Sequence, residues 1–114
     1  MKIEENKDFI STVDLHKKVK KKEDFTLLDV RTPAEYKTGH IKGSILLNLS
    51  ENFLEDLDKI GLANKKNLPI VVYCRSGSRS QIIFNILNTL GFKNVQDMKE
   101  GLLEWKKNKL PLIK

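Results

Sequence analysis

One cysteine, two histidines and three prolines are all that this chain of 114 residues carries of those types. A single cysteine excludes an intramolecular disulfide and any zinc site built from clustered cysteines, and His16 and His40 show no metal-ligand spacing. Neither a metal nor another cofactor is expected. Aromatic residues make up 7% of the chain, and none interleaves its lysine run from Lys17 to Lys22. A stacking platform for single-stranded nucleic acid is therefore missing, and nucleic acid is not an expected partner. The apolar run from Leu68 to Cys74 is interrupted by Pro69 and falls well short of the roughly 20 residues that cross a bilayer, so no membrane partner is expected either. The opening MKIEENKDFI places acids and amides where a secretion signal needs an unbroken apolar stretch, which makes the cytoplasm the expected location.

What is present suffices for one compact domain. With 39% apolar and 32% charged residues, 114 positions support a single core, and one domain over residues 1–114 is expected. The net charge of +6 permits an acidic partner or an anionic substrate. Much of the excess is local: Lys17, Lys18, Lys20, Lys21 and Lys22 crowd one stretch, read here as the solvated carboxyl end of a helix, where cations are favourable.

Short apolar runs alternate with helical stretches, without repeats or low-complexity linkers, the pattern of an α/β fold whose parallel sheet is covered on both faces. Ser11 caps a first helix ending near Lys21, with Asp14 in its first turn and Leu15 and Val19 inward. Strands are predicted over Thr26–Val30, Ser44–Leu49, Leu68–Tyr73 and around Val95. Pro33 opens a short helical turn that stops at Gly39. Phe53, Leu54, Leu57 and Ile60 repeat at helical spacing in a helix closed by Gly61. A further helix, Arg79–Leu90, is apolar on several sides and is expected to be mostly buried, Ile82 included; a terminal helix bears Trp105.

Ligands of parallel sheets collect beyond the carboxyl ends of strands, where loops meet helix amino termini. Cys74 sits at such an end. The loop CRSGSRS after it combines a glycine able to take positive φ, small side chains and two arginines, so that main-chain N–H groups can surround a point near the sulfur. Those donors, the positive end of the following helix and the Arg75 and Arg79 guanidinium groups should favour a thiolate. A cysteine that merely finishes a buried strand would explain Ile70, Val71, Val72 and Tyr73 before it, but not the anion cradle after it.

Three stretches, LLDVRTPAEYKTGHIKGSILLNL (Leu27–Leu49), CRSGSRS (Cys74–Ser80) and GLLEW (Gly101–Trp105), together resemble a single-domain rhodanese, a sulfurtransferase. The resemblance implies a three-layer sandwich with a central, mostly parallel five-stranded sheet between helices. It also implies that Cys74 takes a sulfane sulfur from a small anionic donor such as thiosulfate, holds it as a persulfide and passes it to cyanide or a thiol. The amides of residues 75 to 80 would cradle the persulfide, and Arg75 and Arg79 would attract and orient the donor. Ser76, Ser78 and Ser80 either add hydroxyl donors or are simply small and compatible with the turn around Gly77.

Asp29, Arg31, Glu35 and His40 match the first of the three stretches. Asp29 is expected to support the site by holding an arginine of the loop, and Arg31 to pair with Glu35 at the start of a helix. His40 reads as a hydrogen-bonded structural histidine, because a thiolate already formed needs no general base. Tyr36 and Trp105 read as core or rim residues. Glu100 replaces the first of two glycines usual in the third stretch, and its added side chain could narrow the pocket or disfavour anionic donors.

Two other readings compete. Phosphatases and arsenate reductases of this architecture separate cysteine and arginine by five residues, whereas four separate Cys74 from Arg79. The shorter loop suits a sulfur atom better than a tetrahedral oxyanion, and hydrolysis of an aryl phosphate is not expected. The alternative from a different class is a non-catalytic or carrier-type module docking on a larger sulfur-relay protein. Such modules usually lose the cysteine, which is kept here.

Overall fold

The computed structural model describes residues 7–114; the reading of the amino end as untargeted falls largely on residues 1–6, outside the described residues. Among the described residues nine elements follow in the order α1 (Thr12–Lys20), β1 (Thr26–Asp29), α2 (Pro33–Thr38), β2 (Ile45–Leu46), α3 (Phe53–Lys59), β3 (Ile70–Tyr73), α4 (Ser78–Thr89), β4 (Val95–Asp97) and α5 (Gly101–Lys107). Among the described residues, no helix is long and apolar enough to cross a membrane.

The strands form one parallel sheet in the order β2-β1-β3-β4. Among the described residues the expected fifth strand is a single parallel bridge between Phe9 and Asp97 on the outer side of β4. Two hydrogen bonds carry it, from Asp97 N to the Asp8 carbonyl and from Ile10 N to the Asp97 carbonyl. Ser11 then caps α1 with its hydroxyl on the Asp14 amide and turns the chain away before more rungs can form. The second strand is also shorter than predicted: beyond Leu46 only the Leu47 and Leu49 amides still reach β1, at the Asp29 and Val30 carbonyls.

Period-two alternation sorts the strands' apolar residues onto two faces. Leu28, Ile70, Val72, Cys74 and Val95 meet Phe53, Leu57, Ile83, Phe84 and Leu87 of α3 and α4. Leu27, Val71, Tyr73 and Met98 meet Leu15, Leu102 and Trp105 of α1 and α5. Both faces are thus covered, as the near-continuous apolar runs of the strands require. α4 is less buried than its sequence suggests, for Ile82 is 48% exposed while Ser80, Ile83, Phe84 and Leu87 point inward. Because β1 leads outward to β2 and β3 leads the other way to β4, the order reverses between β1 and β3. The chain just beyond those two strands is where a ligand crevice forms.

Candidate functional site

Arg31 and Cys74 both lie at this reversal, the first two residues beyond β1 and the second directly after β3. Asp29 is fully buried at the end of β1 and therefore needs a charged partner. It takes Arg31, not an arginine of the Cys74 loop: Arg31 Nε and Nη2 reach the carboxylate at 2.7–3.1 Å, and Nη2 also donates to the Gly39 carbonyl at 2.7 Å. The two share a face because they are two residues apart in extended chain. With Arg31 so engaged, the expected Arg31–Glu35 pair does not form.

Glu35 instead closes a capping box with Thr32 at the start of α2 and binds Arg79 of α4, at 2.6 Å to Nη1 and 3.0 Å to Nη2. The Arg79 guanidinium, helped by the Thr32 bonds, holds the Glu35 carboxyl down to about 2. Since the folded value lies below the ordinary value of about 4.3, the pair stabilises the fold above that pH, and the contribution fades as pH falls toward 2. Glu35→Gln should therefore lower the urea midpoint at neutral pH, with the difference from wild type shrinking when unfolding is repeated near pH 3.

Cys74 itself has no solvent exposure. Of the loop amides, only Gly77 N donates to Sγ, at 3.1 Å, so the expected ring of N–H groups over residues 75 to 80 is not closed around the bare sulfur. Ser80 Oγ lies 3.6 Å from Sγ and 3.2 Å from the Gly77 carbonyl. Gly77 takes φ of 100° as the amino cap of the 12-residue α4, which aims the helix's positive end at the loop. Ser76, Ser78 and Arg75 are exposed, and the Arg75 side chain has no hydrogen bond or ion pair among the described residues. Beside the loop, on the β4 side, a cleft of 390 Å³ is lined by Phe9, Ser76, Gly77, Ser78, Gln81, Asp97 and Lys99.

The amino end of α5 is docked onto this loop. Leu102 N and Leu103 N, two amides that a helix start leaves unpaired, donate to the carbonyls of Cys74 and Arg75 at 2.9 and 3.0 Å. Gly101 and Gly77 permit the approach: a β-carbon on Gly101 would run into the Arg75 carbonyl, and one on Gly77 into the Lys99 carbonyl. The third sequence stretch is thus a clamp on the second.

Glu100 turns away from the cysteine. Its Oε1 accepts from Thr12 N at 2.7 Å, capping α1 across 88 residues of sequence, so it does not narrow the Cys74 loop. Glu100→Ala should cost about 1 kcal/mol of stability, the scale of a lost helix cap, read as a lower urea midpoint. His40 is buried, stacks on Tyr36 with ring centroids 3.7 Å apart, and its Nδ1 is 2.9 Å from the Tyr36 carbonyl. Trp105 is buried and donates through Nε1 to the Pro111 carbonyl.

Asp97, at the end of β4, is the site's neighbour that the sequence reading passed over. It is fully buried, and neither carboxyl oxygen makes a hydrogen bond of ordinary geometry. Burial pushes its carboxyl up, against the Ser80 hydroxyl and the Lys99 ammonium. The available signal was an acid at an inward position, two residues after Val95.

The model of the Rhodanese-like domain family matches residues 11–108. Over 96 residues the chain is 36% identical to the uncharacterized protein YibN of Escherichia coli K12, covering 82% of this chain but only 64% of that protein's length. A sulfurtransferase of Allochromatium vinosum is 30% identical over 105 residues, covering 91% of this chain and 92% of the relative. The crystal structure of the Alr3790 protein from Anabaena superposes with a TM-score of 0.78 at 28% identity, covering 91% and 90% of the two chains.

Proposed function

Since the chain belongs to the rhodanese-like domain family, we propose that it is a sulfurtransferase that moves a sulfane sulfur through a persulfide on Cys74. The observation that carries this reading is the placement of Sγ at the carboxyl end of β3, 3.1 Å from the Gly77 amide, under the amino terminus of α4. The Gly77 N–H and the positive end of α4 both face the point where charge develops as a sulfur is taken up.

The chemistry needs little else. The Cys74 thiolate attacks the outer sulfur of a donor such as thiosulfate; the donor's S–S bond breaks and sulfite leaves with the bonding pair. The acceptor, cyanide or a thiolate, then attacks the outer persulfide sulfur, and Cys74 departs as the thiolate that began the cycle. One cysteine, no redox partner and no metal are involved. The outer sulfur extends one bond beyond Sγ, toward amides of the loop that the bare thiol does not engage. Because Cys74 is sealed, loading accompanies a displacement of the loop from Arg75 to Ser78, of which Arg75, Ser76 and Ser78 are exposed.

Arg75 and Arg79 divide the work expected of them. Arg75, exposed and unpaired, draws the anionic donor; Arg79 is held by Glu35 and ties α4 to α2 beneath the loop. In an assay of thiocyanate formation from thiosulfate and cyanide, Cys74→Ala should be inactive. Arg75→Ala should raise the donor KM roughly two- to fivefold, the scale of an exposed charge, with a smaller effect as salt is added. Thiocyanate formation by Cys74→Ala at the wild-type rate would end the proposal.

A further inference from the structure

α4 carries two apolar stripes, and the core uses one of them. Ile83, Phe84 and Leu87 are buried against the sheet and its neighbours, whereas Ile82, Ile86 and Leu90, each four residues from the next, run along the flank that the core leaves open. Ile82 is exposed, and Ile86 and Leu90 are half-buried. On α3, Leu54 is 60% exposed although Phe53 before it is buried. Leu54, Ile86 and Leu90, together with Phe53, line a groove of 410 Å³ between the amino end of α3 and the carboxyl half of α4. Ile82 continues the stripe one turn further toward the Cys74 loop.

The polar residues beside the groove differ between the two helices. On α4 they are uncharged: from Ser80 to Phe92 no residue carries a charge, in a chain where 32% of residues do. A helix flank meant for water is normally lined with charged side chains. Gln81, Asn85, Asn88 and Thr89 are exposed there instead, and depletion of charge beside exposed apolar residues marks the centre of an interface. On α3 the charge is of one sign. Glu51 and Asp58 stand one turn before and one turn after Leu54 on the same face, and Glu55 follows it directly. All three acids are exposed, and none has an ion pair or side-chain hydrogen bond among the described residues. Lys59, the basic residue of α3, is at its last position, and no lysine or arginine lines the groove. In a chain of net charge +6, the groove thus has an acidic rim.

We propose that this groove is a docking site for an amphipathic helix of a partner protein, apolar on one face and flanked there by lysine or arginine. From Ile82 to Leu90 the stripe spans about 12 Å at 1.5 Å per residue, which faces about two turns of the incoming helix. The partner's apolar side chains enter between Leu54 and Ile86, and its cations meet Glu51, Glu55 and Asp58. A second copy of this chain does not have that shape. Its basic run from Lys17 to Lys22 lies at the end of α1, whose Leu15 and Val19 are packed into the core. Two-fold pairing through the groove would bring two acidic α3 helices to one interface. Because Ile82 lies one turn after Ser78, a docked partner sits alongside the Cys74 loop.

This inference does not depend on the sulfur chemistry, and its test does not use it. The probe is a synthetic peptide of leucine and lysine, about 18 residues or roughly five helical turns, with leucine at i, i+3, i+4 and i+7 spacing. Its counterpart carries glutamate in place of every lysine. Each is titrated into the isotope-labelled full chain and followed through the backbone amides by NMR. The lysine peptide should shift amides in residues 50–58 and 82–90, with affinity falling as salt is added, and the glutamate peptide should bind about tenfold more weakly or less. Leu54→Ser, at an exposed position, should weaken the lysine peptide about fivefold or more. Glu51→Gln combined with Asp58→Asn should narrow the difference between the two peptides. Equal binding of both peptides, shifts confined to other surfaces, no shifts at all, or undiminished affinity in Leu54→Ser would each overturn the inference. So would concentration-dependent shifts of the same amides without peptide, which would show that a second copy covers the groove.

Discussion

Gly101→Ala is expected to destabilise the domain by about 3 kcal/mol, combining a left-handed backbone penalty of about 1–2 kcal/mol with overpacking of similar size. Gly101 has φ of 75°, and an added β-carbon would strike the Arg75 carbonyl oxygen and come within 2.9 Å of the Ser76 Cα. These are backbone atoms, so no side chain can swing aside to make room. α5 must withdraw, and the bonds from Leu102 and Leu103 to the Cys74 and Arg75 carbonyls go with it. The internal control is Gly61→Ala, where φ is 84° and nothing lies within 4 Å of the new carbon. That change carries the backbone penalty alone, about 1 kcal/mol. In a domain of this size the Gly101 variant should lose roughly 10 °C or more in Tm. A Gly101 variant no less stable than its Gly61 counterpart would show that α5 does not press on the loop.

The second large effect is expected at Asp29. Asp29→Ala strands Arg31, whose side chain is 4% exposed, without the carboxylate that binds both Nε and Nη2. Removing one partner of a buried ion pair typically costs about 3–5 kcal/mol, because the other charge is left unpaired. Removing both partners together should cost less: Asp29→Leu with Arg31→Met is expected to be more stable than Asp29→Ala alone. The comparison is made by urea unfolding at constant slope. A loss confined to a few tenths of a kcal/mol in Asp29→Ala would mean that Arg31 finds another partner or water, contrary to its enclosure by Gly39 and the Tyr73 ring.

The sequence revealed what local chemistry dictates and concealed what depends on direction. Ser11 and Pro33 mark helix starts because capping and proline geometry act within a few residues. The position of Cys74 at a strand end followed from the run of β-branched residues before it and the glycine after it. Which acid meets which arginine did not follow. Asp29, Arg31, Glu35 and Arg79 could pair in more than one way, and the choice turns on the burial of Asp29 and on the reach of Arg79 to Glu35 across 44 residues of sequence. Glu100 stands where the resemblance implies a glycine bordering the pocket, whereas its side chain spans to the amino end of α1. Among the described residues the fifth strand is a single bridge, limited on its carboxyl side because Ser11 starts α1 only two residues after Phe9.

These placements change what the loop is asked to do. The cradle is held from outside by α5 and from below by α4, while Arg79, the arginine with the most obvious spacing, is already neutralised by Glu35. In the proposed cycle, attraction of the sulfur donor then falls to Arg75, which is exposed.

Intact mass spectrometry of the wild-type chain after incubation with thiosulfate addresses the central claim most directly. The account predicts a gain of about 32 Da, one sulfur atom, lost again on treatment with cyanide and absent from Cys74→Ala. An unchanged mass in the folded wild-type chain, or the same gain in Cys74→Ala, would contradict it.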